Sequence, residues 1–325
     1  MLTSSEIDKL ISESLDSLNI PGEPSELYNP IKYIISIGGK RIRPKLSLIA
    51  YNIFSDKIDQ SIISPSLALE VFHAFTLVHD DIMDKSDLRR GKQTIHKKWS
   101  DNIAILSGDV MSILSYKLLA YAPNEHLQKS LEIFSTMGIE VCEGQQFDMN
   151  FENKDYIVMD DYIKMIGLKT AALIASAAKL GATIAGADDK TTQAIYDSTY
   201  QVGIAFQIAD DYLDVYSNSE TLGKKIGEDI VSNKKTWLLI KAQELAKGEQ
   251  VERLQSIMTL PEDRAEEKIK LMTELYSELD IPRLAEEEVI KYHNHALEII
   301  SQTDIPSERL GTFNEFARSL THRKY

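Results

Sequence analysis

Two sets of carboxylates, each with its outer members four residues apart, are the chain's most chemically suggestive feature. His79-Asp80-Asp81-Ile82-Met83-Asp84 closes one long apolar run, and Ala209-Asp210-Asp211-Tyr212-Leu213-Asp214 closes another. On a helix the first and last Asp of each set share a face. Like charges so placed repel, more strongly where water is excluded, and carboxylates at a helix C-terminus also oppose the macrodipole. Neutralising cations resolve both conflicts. Oxygen-only donors point to a hard ion, Mg²⁺ before Ca²⁺, which takes one or two carboxylates and completes its shell with water and phosphate oxygens. For a single such cluster, an acidic helix end facing solvent explains the pattern equally well. Two clusters, each ending a buried helix, weigh against that.

An anion that meets such metals needs basic partners. Residues 38–45 (GGKRIRPK) hold four Lys/Arg in eight, and 85–98 (KSDLRRGKQTIHKK) hold six in fourteen, in a chain with 36 in 325. Arg forks bind phosphate bidentately and Lys binds it as a point charge. The first run is not a Walker loop, since no GxxxxGK[ST] is present. A solvated basic patch is the plain alternative, and the second run's adjacency to Asp84 argues against it.

The elements that must carry these groups read as helices. Only 15 Gly and 9 Pro occur, so long stretches run without a breaker. Residues 67–78 (LALEVFHAFTLV) are apolar around nearly the whole helical circumference, which marks a buried helix, and 199–213 look similar. Residues 251–288 are charged and amphipathic, with Pro261 and Pro282 as stops, and read as outer helices. Ile62 and Ile63 read as loop, with a helix starting at Ser64-Pro65. No run of strands with hairpin turns is evident. The expectation is an all-α fold of ten or so helices in one large domain spanning 1–325, because no linker-like stretch divides it.

Composition removes several function classes. With 43% apolar residues the chain can bury a core, so it is no disordered acidic tail. Its single Cys142, read as a small buried hydrophobe, excludes a disulfide framework and a cysteine-ligated metal. A net charge of -14 argues against general nucleic-acid binding. The start MLTSSEIDKL is unlike a secretory signal. The most membrane-like stretch, 171–187, is interrupted by Lys179 and reads as a buried small-residue helix, so the expectation is a cytoplasmic protein without a transmembrane segment.

Over nearly its whole length the chain resembles the trans-isoprenyl diphosphate synthases, the polyprenyl synthetase family, of short-chain type. The motifs are GGKRIRP, LVHDDIMDKSDLRRGKQTIH, GQQFD at Gly144–Asp148, Lys169-Thr170, FQIADDYLD, and TLGKKIGEDIVSNKKT at Thr221–Thr236. The resemblance implies an all-α isoprenoid synthase bundle around a central cavity with facing Asp-rich motifs, usually as a homodimer. It implies Mg²⁺-dependent head-to-tail condensation of isopentenyl diphosphate with dimethylallyl, geranyl or farnesyl diphosphate. Under it, Lys40, Arg43, His73 and Arg90 take the isopentenyl diphosphate, while Arg89, Lys169, Lys224 and Lys234 hold the allylic diphosphate. Asp80, Asp84 and Asp210 ligate about three Mg²⁺, with Asp81, Asp211 and Asp214 behind them or acting through water. Thr170 and Gln207 set oxygen dipoles near the developing allylic cation, forming the catalytic group with Lys169 and Lys224. Gln145 and Asp148 orient neighbours, and Arg323-Lys324 resembles a closing tail.

The chemistry read from the residues agrees. Cations stabilise a departing diphosphate, the second substrate's double bond attacks the allylic cation, and the released diphosphate can take the lost proton, so no nucleophilic triad is needed. Water must be kept out. Three rivals remain. A di-iron bundle needs two Glu-x-x-His motifs, and Glu70–His73 is the one found on a buried helix. A terpene cyclase of the same fold usually alters the second Asp motif and lacks GGKRIRP. An inactive partner subunit is expected to lose one Asp motif, and both are intact. His79 reads as a hydrogen-bonded helix residue and His96 as a turn residue. Phe75 and Thr76, five and four residues before Asp80, read as the chain-length floor. By the family resemblance, this pattern without an insertion in the motif implies a twenty-carbon product first and a fifteen-carbon one second, with simple core packing of Phe75 as the competing explanation.

Overall fold

The computed structural model describes residues 2–217 and 226–321. Helix dominates it. Among the described residues the strands are Leu88–Arg89 and Lys92–Gln93, an antiparallel hairpin pairing Leu88 with Gln93. This hairpin departs from the sequence reading. Its turn residues Arg90 and Gly91 have φ of 52° and 72°. A two-residue type I′ turn requires positive values at both positions. The arms are too short and polar to show an alternating pattern.

The chain forms two compact units. The first comprises Met1–Met137, Leu173–Asp197 and Gln302–Phe316. Here the Gln60–Met83 helix packs chiefly on Asp101–Leu119 and on Ile42–Phe54. Residues 67–72 of that helix are buried, as their unbroken apolar sequence demands. The helix begins earlier than Ser64: Asp59 caps it, its side chain accepting the Ser61 N–H at 3.0 Å. Pro65 therefore sits inside the second turn. Ser66 donates to Ser47 Oγ at 3.0 Å, a bond two small facing side chains allow.

The second unit comprises Gly138–Ala172, Ser198–Ser301 and Ala317–Tyr325. Its core gathers Phe151, Tyr162, Ile208, Leu238, Met272 and Tyr276, each fully or nearly buried. At about 1.5–3 kcal/mol per large apolar side chain, such burial is what holds the polar groups below in place. Thr236, accepting the Leu239 N–H at 3.3 Å, caps Trp237–Leu245. Pro261 lies between helices, as expected, whereas Pro282 is the second residue of Ile281–Ser301, where a missing N–H costs nothing.

By length and composition alone, three helical stretches among the described residues are apolar enough to cross a membrane: Gln60–Met83, Asp101–Leu119 and Met159–Ile184. Sequence reading picked out only part of the last. Their apolar windows are 72%, 39% and 78% buried within the protein, so two of the three spend that apolarity on the core.

Candidate active site

In the first unit the acidic set ends the Gln60–Met83 helix. His73, Thr76, Leu77 and Asp80, spaced as one helical stripe, are all half-buried. Asp84 is exposed and caps the helix, its N–H donating to the Asp80 carbonyl at 2.8 Å. Asp81 is buried at 2% exposure and turned to Arg89. Arg89 Nε donates to both its oxygens at 2.9 Å, and a terminal nitrogen to one at 2.7 Å. Burial works against the Arg89 charge, but Asp81, with Asp80 and Asp84 beyond it, holds its pKa above the ordinary value.

Arginines crowd the region behind. Arg41 pairs with Glu70 at 2.6 Å, and Arg90 donates to the Gly38 carbonyl. Arg41 and Arg90 are both left-handed, with φ of 46° and 52°. That conformation costs about 1–2 kcal/mol per residue and is concentrated at functional loops. Gly39, at φ 144°, occupies a backbone conformation that a residue with a Cβ rarely adopts. Arg43 Nε and Glu70 Oε2 are buried without a hydrogen-bond partner. Burial pulls Arg43 down to about 10, with Glu70 opposing and Arg90 adding to the fall. Burial, then the charges of Arg43, Arg90, Arg89 and Arg41, holds His73 well below its usual range, so it is neutral. One carboxylate, Glu70, among Arg41, Arg43 and Arg90 leaves an excess of positive charge suited to an anion. Lys40 is exposed on the adjoining loop. Lys45, from the same basic run, is instead structural: it pairs with Asp8 at 2.6 Å and lies 5.2 Å over the Phe316 ring.

His79 Nε2 lies 3.2 Å from the Ile105 carbonyl, a hydrogen-bonded helix residue as expected. His96 is in the short Ile95–Lys98 helix rather than a turn. Cys142 is exposed rather than buried.

In the second unit the acidic set lies near the end of Asp189–Tyr216. Asp210 is half-buried, and Asp211 and Asp214 are buried. Asp214 accepts the Asp229 N–H at 3.2 Å. Asp211 accepts from Tyr162 Oη at 2.6 Å, from the Trp237 N–H at 2.9 Å and from Gln207 Nε2 at 3.0 Å. Burial pushes its carboxyl up to about 7, Asp229 adds to the rise, and the three donors pull it back. Gln207 Oε1 in turn accepts from Thr170 Oγ1 at 2.9 Å.

Thr170 and Lys169 stand in a π-helical turn, Gly167–Ala171, a distortion often found at functional sites. Gly144 permits it, because a Cβ there would collide with the Lys169 backbone nitrogen. Lys169 Nζ pairs with Asp148 at 2.6 Å. Lys234 is exposed, 3.8 Å from Asp229. Lys224, Arg323 and Lys324 lie outside the described residues.

The residues suit a hard divalent ion. Asp80 and Asp210 are half-buried and Asp84 is exposed, whereas Asp81, Asp211 and Asp214 are at most 7% exposed. Among the described residues no three His, Cys, Asp or Glu side chains converge on one point. Mg²⁺ needs no such cage, because water and phosphate oxygens complete its shell.

Phe75 is half-buried in a row of edge-to-face rings. It meets His79 at 4.8 Å and Phe72 at 5.3 Å, and Phe72 meets the buried Phe134 at 5.4 Å. Thr76 bonds back to the His73 carbonyl at 2.9 Å.

Sequence reasoning missed Tyr162, the Trp237 amide and Glu70 as parts of these networks. Only Glu70 had a signal: it lies one helical turn before His73 on the same buried run.

Residues 24–276 match the family described as polyprenyl synthetase. The chain is 35% identical over 328 residues to the geranylgeranyl diphosphate synthase of Sulfolobus acidocaldarius, covering 95% of this chain and 97% of that one. It is 36% identical to the geranylfarnesyl diphosphate synthase of Natronomonas pharaonis, over 73% and 74% of the two chains. A solved geranylgeranyl pyrophosphate synthase superposes with a TM-score of 0.94 at 37% identity, covering 100% of both chains.

Proposed function

Because the chain belongs to the polyprenyl synthetase family and is a prenyltransferase, we propose that it condenses isopentenyl diphosphate head to tail with allylic diphosphates, with geranylgeranyl diphosphate as the main product. The observation that carries this reading is Arg89, which hydrogen-bonds Asp81 inside the first acidic motif and adds its charge to those of Arg41, Arg43 and Arg90 near His73. The family is generally metal-dependent. Asp80, Asp84 and Asp210 would hold about three Mg²⁺, which supply electrophilic stabilisation of the departing diphosphate.

The chain's own residues divide the remaining work. Lys40, Arg43, His73 and Arg90 bind the isopentenyl diphosphate, supported by the buried, unpartnered Arg43 Nε. Arg89, Lys169, Lys224 and Lys234 bind the allylic diphosphate, supported for Lys169 by Asp148, which already holds its ammonium. Thr170 and Gln207 direct oxygen dipoles at the allylic cation, supported by their mutual hydrogen bond. Phe75, backed by Phe72 and Phe134, stops the growing chain at twenty carbons. The product named for several relatives supports that length.

A homodimer is part of the proposal. Its support is the Asp101–Leu119 helix, which leaves Leu106 57% and Ile113 70% exposed. A second copy would cover that apolar face. A cytoplasmic setting belongs to it too, supported by a single cysteine that gives an oxidising compartment no disulfide to form within the chain. The test is incubation of purified protein with Mg²⁺, labelled isopentenyl diphosphate and each allylic starter in turn. Labelled twenty-carbon product is expected, and its absence with every starter would overturn the reading.

A further inference from the structure

We propose that Asp211 is a positioning carboxylate: held by Tyr162 and the Trp237 amide, it fixes the orientation of the Gln207 amide, so that the Gln207 oxygen faces Thr170. The inference rests on the reading that Thr170 and Gln207 border the reacting allylic group.

Three donors address Asp211. Tyr162 Oη and the Trp237 N–H share one oxygen at 2.6 and 2.9 Å, and Gln207 Nε2 takes the other at 3.0 Å. All three contacts are donated to Asp211, so in this geometry both of its oxygens act as acceptors. The group is 4% exposed. It is therefore poorly placed to act outward through water and well placed to dictate what its neighbour presents.

A glutamine amide has a donor end and an acceptor end. Facing a carboxylate, it must turn its NH₂ inward, which leaves Oε1 for the Thr170 hydroxyl at 2.9 Å. Thr170 spends its proton on that bond, so its lone pairs face elsewhere. Both side chains then offer oxygen, not N–H or O–H, to a developing cation. Tyr162 is 1% exposed and its hydroxyl, pushed up by burial and by Asp211, stays protonated as a donor.

Asparagine at this position tests the orientation. Asp211→Asn keeps an oxygen for Tyr162 and Trp237 but turns an NH₂ toward Gln207, whose amide must then flip. The double variant Asp211→Asn/Gln207→Glu restores an acceptor that satisfies both Asn and Thr170, with the same total charge. In the condensation assay, Asp211→Asn should lower kcat about a hundredfold, with KM for both substrates and the Mg²⁺ half-saturation within about twofold of wild type. The double variant should recover about tenfold over the single one, and the isosteric Tyr162→Phe should lower kcat about tenfold with KM unchanged. A raised Mg²⁺ requirement with near-normal kcat in Asp211→Asn, no recovery in the double variant, or a folded Tyr162→Phe with wild-type kcat would each overturn the proposal. An inactive wild type would instead count against the reading on which it rests.

Discussion

Arg89 grips Asp81 through three nitrogen–oxygen contacts of 2.7–2.9 Å, tying a diphosphate-binding candidate to the buried centre of the first acidic motif. The pair is both structural and functional. Arg89→Ala leaves a carboxylate that is 3% exposed without its ion-pair partner. That should cost on the order of 3–5 kcal/mol of stability in addition to raising KM for the allylic substrate. Arg89→Lys keeps the charge but loses the fork, and should lose less of both. Lys40→Ala, at an exposed position, should raise KM for isopentenyl diphosphate alone. Denaturant titration and kinetics with each substrate varied decide this. An unchanged unfolding midpoint in Arg89→Ala would contradict it.

The accessible carboxylates should respond differently from the buried ones. Asp80→Ala and Asp210→Ala should each lose a factor of about 10²–10³ or more in turnover, the loss expected when transition-state charge stabilisation is removed. Excess chelator should abolish wild-type activity and added Mg²⁺ restore it. Near-normal turnover in either variant would falsify their assignment as metal ligands.

How much of this was legible beforehand follows from the reach of each signal. The buried run at 67–78, the paired Asp sets and both basic loops were readable because their periodicity and chemistry are local. Asp59 was not seen as a cap, since Ser64-Pro65 offered a stronger start signal a few residues on. The π turn at Gly167–Ala171 depends on Gly144, distant in sequence, and no local pattern announces it. Nor could the basic runs alone separate Lys45, paired with Asp8, from Arg43, which keeps a buried nitrogen unpartnered.

Product length should follow the ring row. From Asp80 back to Phe75 the helix rises about 7–8 Å. Phe75 rests on Phe72, which rests on Phe134. Phe75→Ala should shift the products to longer chains while the protein stays folded, and Phe72→Ala should do so less because it also opens a core cavity. Unchanged lengths in a folded Phe75→Ala would move the floor elsewhere.

His73 gives a pH signature. Its pKa is depressed in the folded protein. Between that value and about 6.5 the unfolded chain therefore binds a proton that the native state refuses. Its contribution is fully present above about pH 6.5 and is lost as pH falls below it, by up to about 1.4 kcal/mol per pH unit. His73→Gln should flatten the stability profile between about pH 7 and pH 5 relative to wild type. Identical profiles would contradict the neutral assignment.

The stoichiometry of diphosphate release bears most directly on the central claim, that this chain joins isopentenyl units to an allylic diphosphate. With Mg²⁺ and farnesyl diphosphate present, the account predicts one diphosphate released per isopentenyl diphosphate consumed, and a linear twenty-carbon diphosphate as product. Release of diphosphate from farnesyl diphosphate with no isopentenyl diphosphate consumed would contradict it and point to a cyclase.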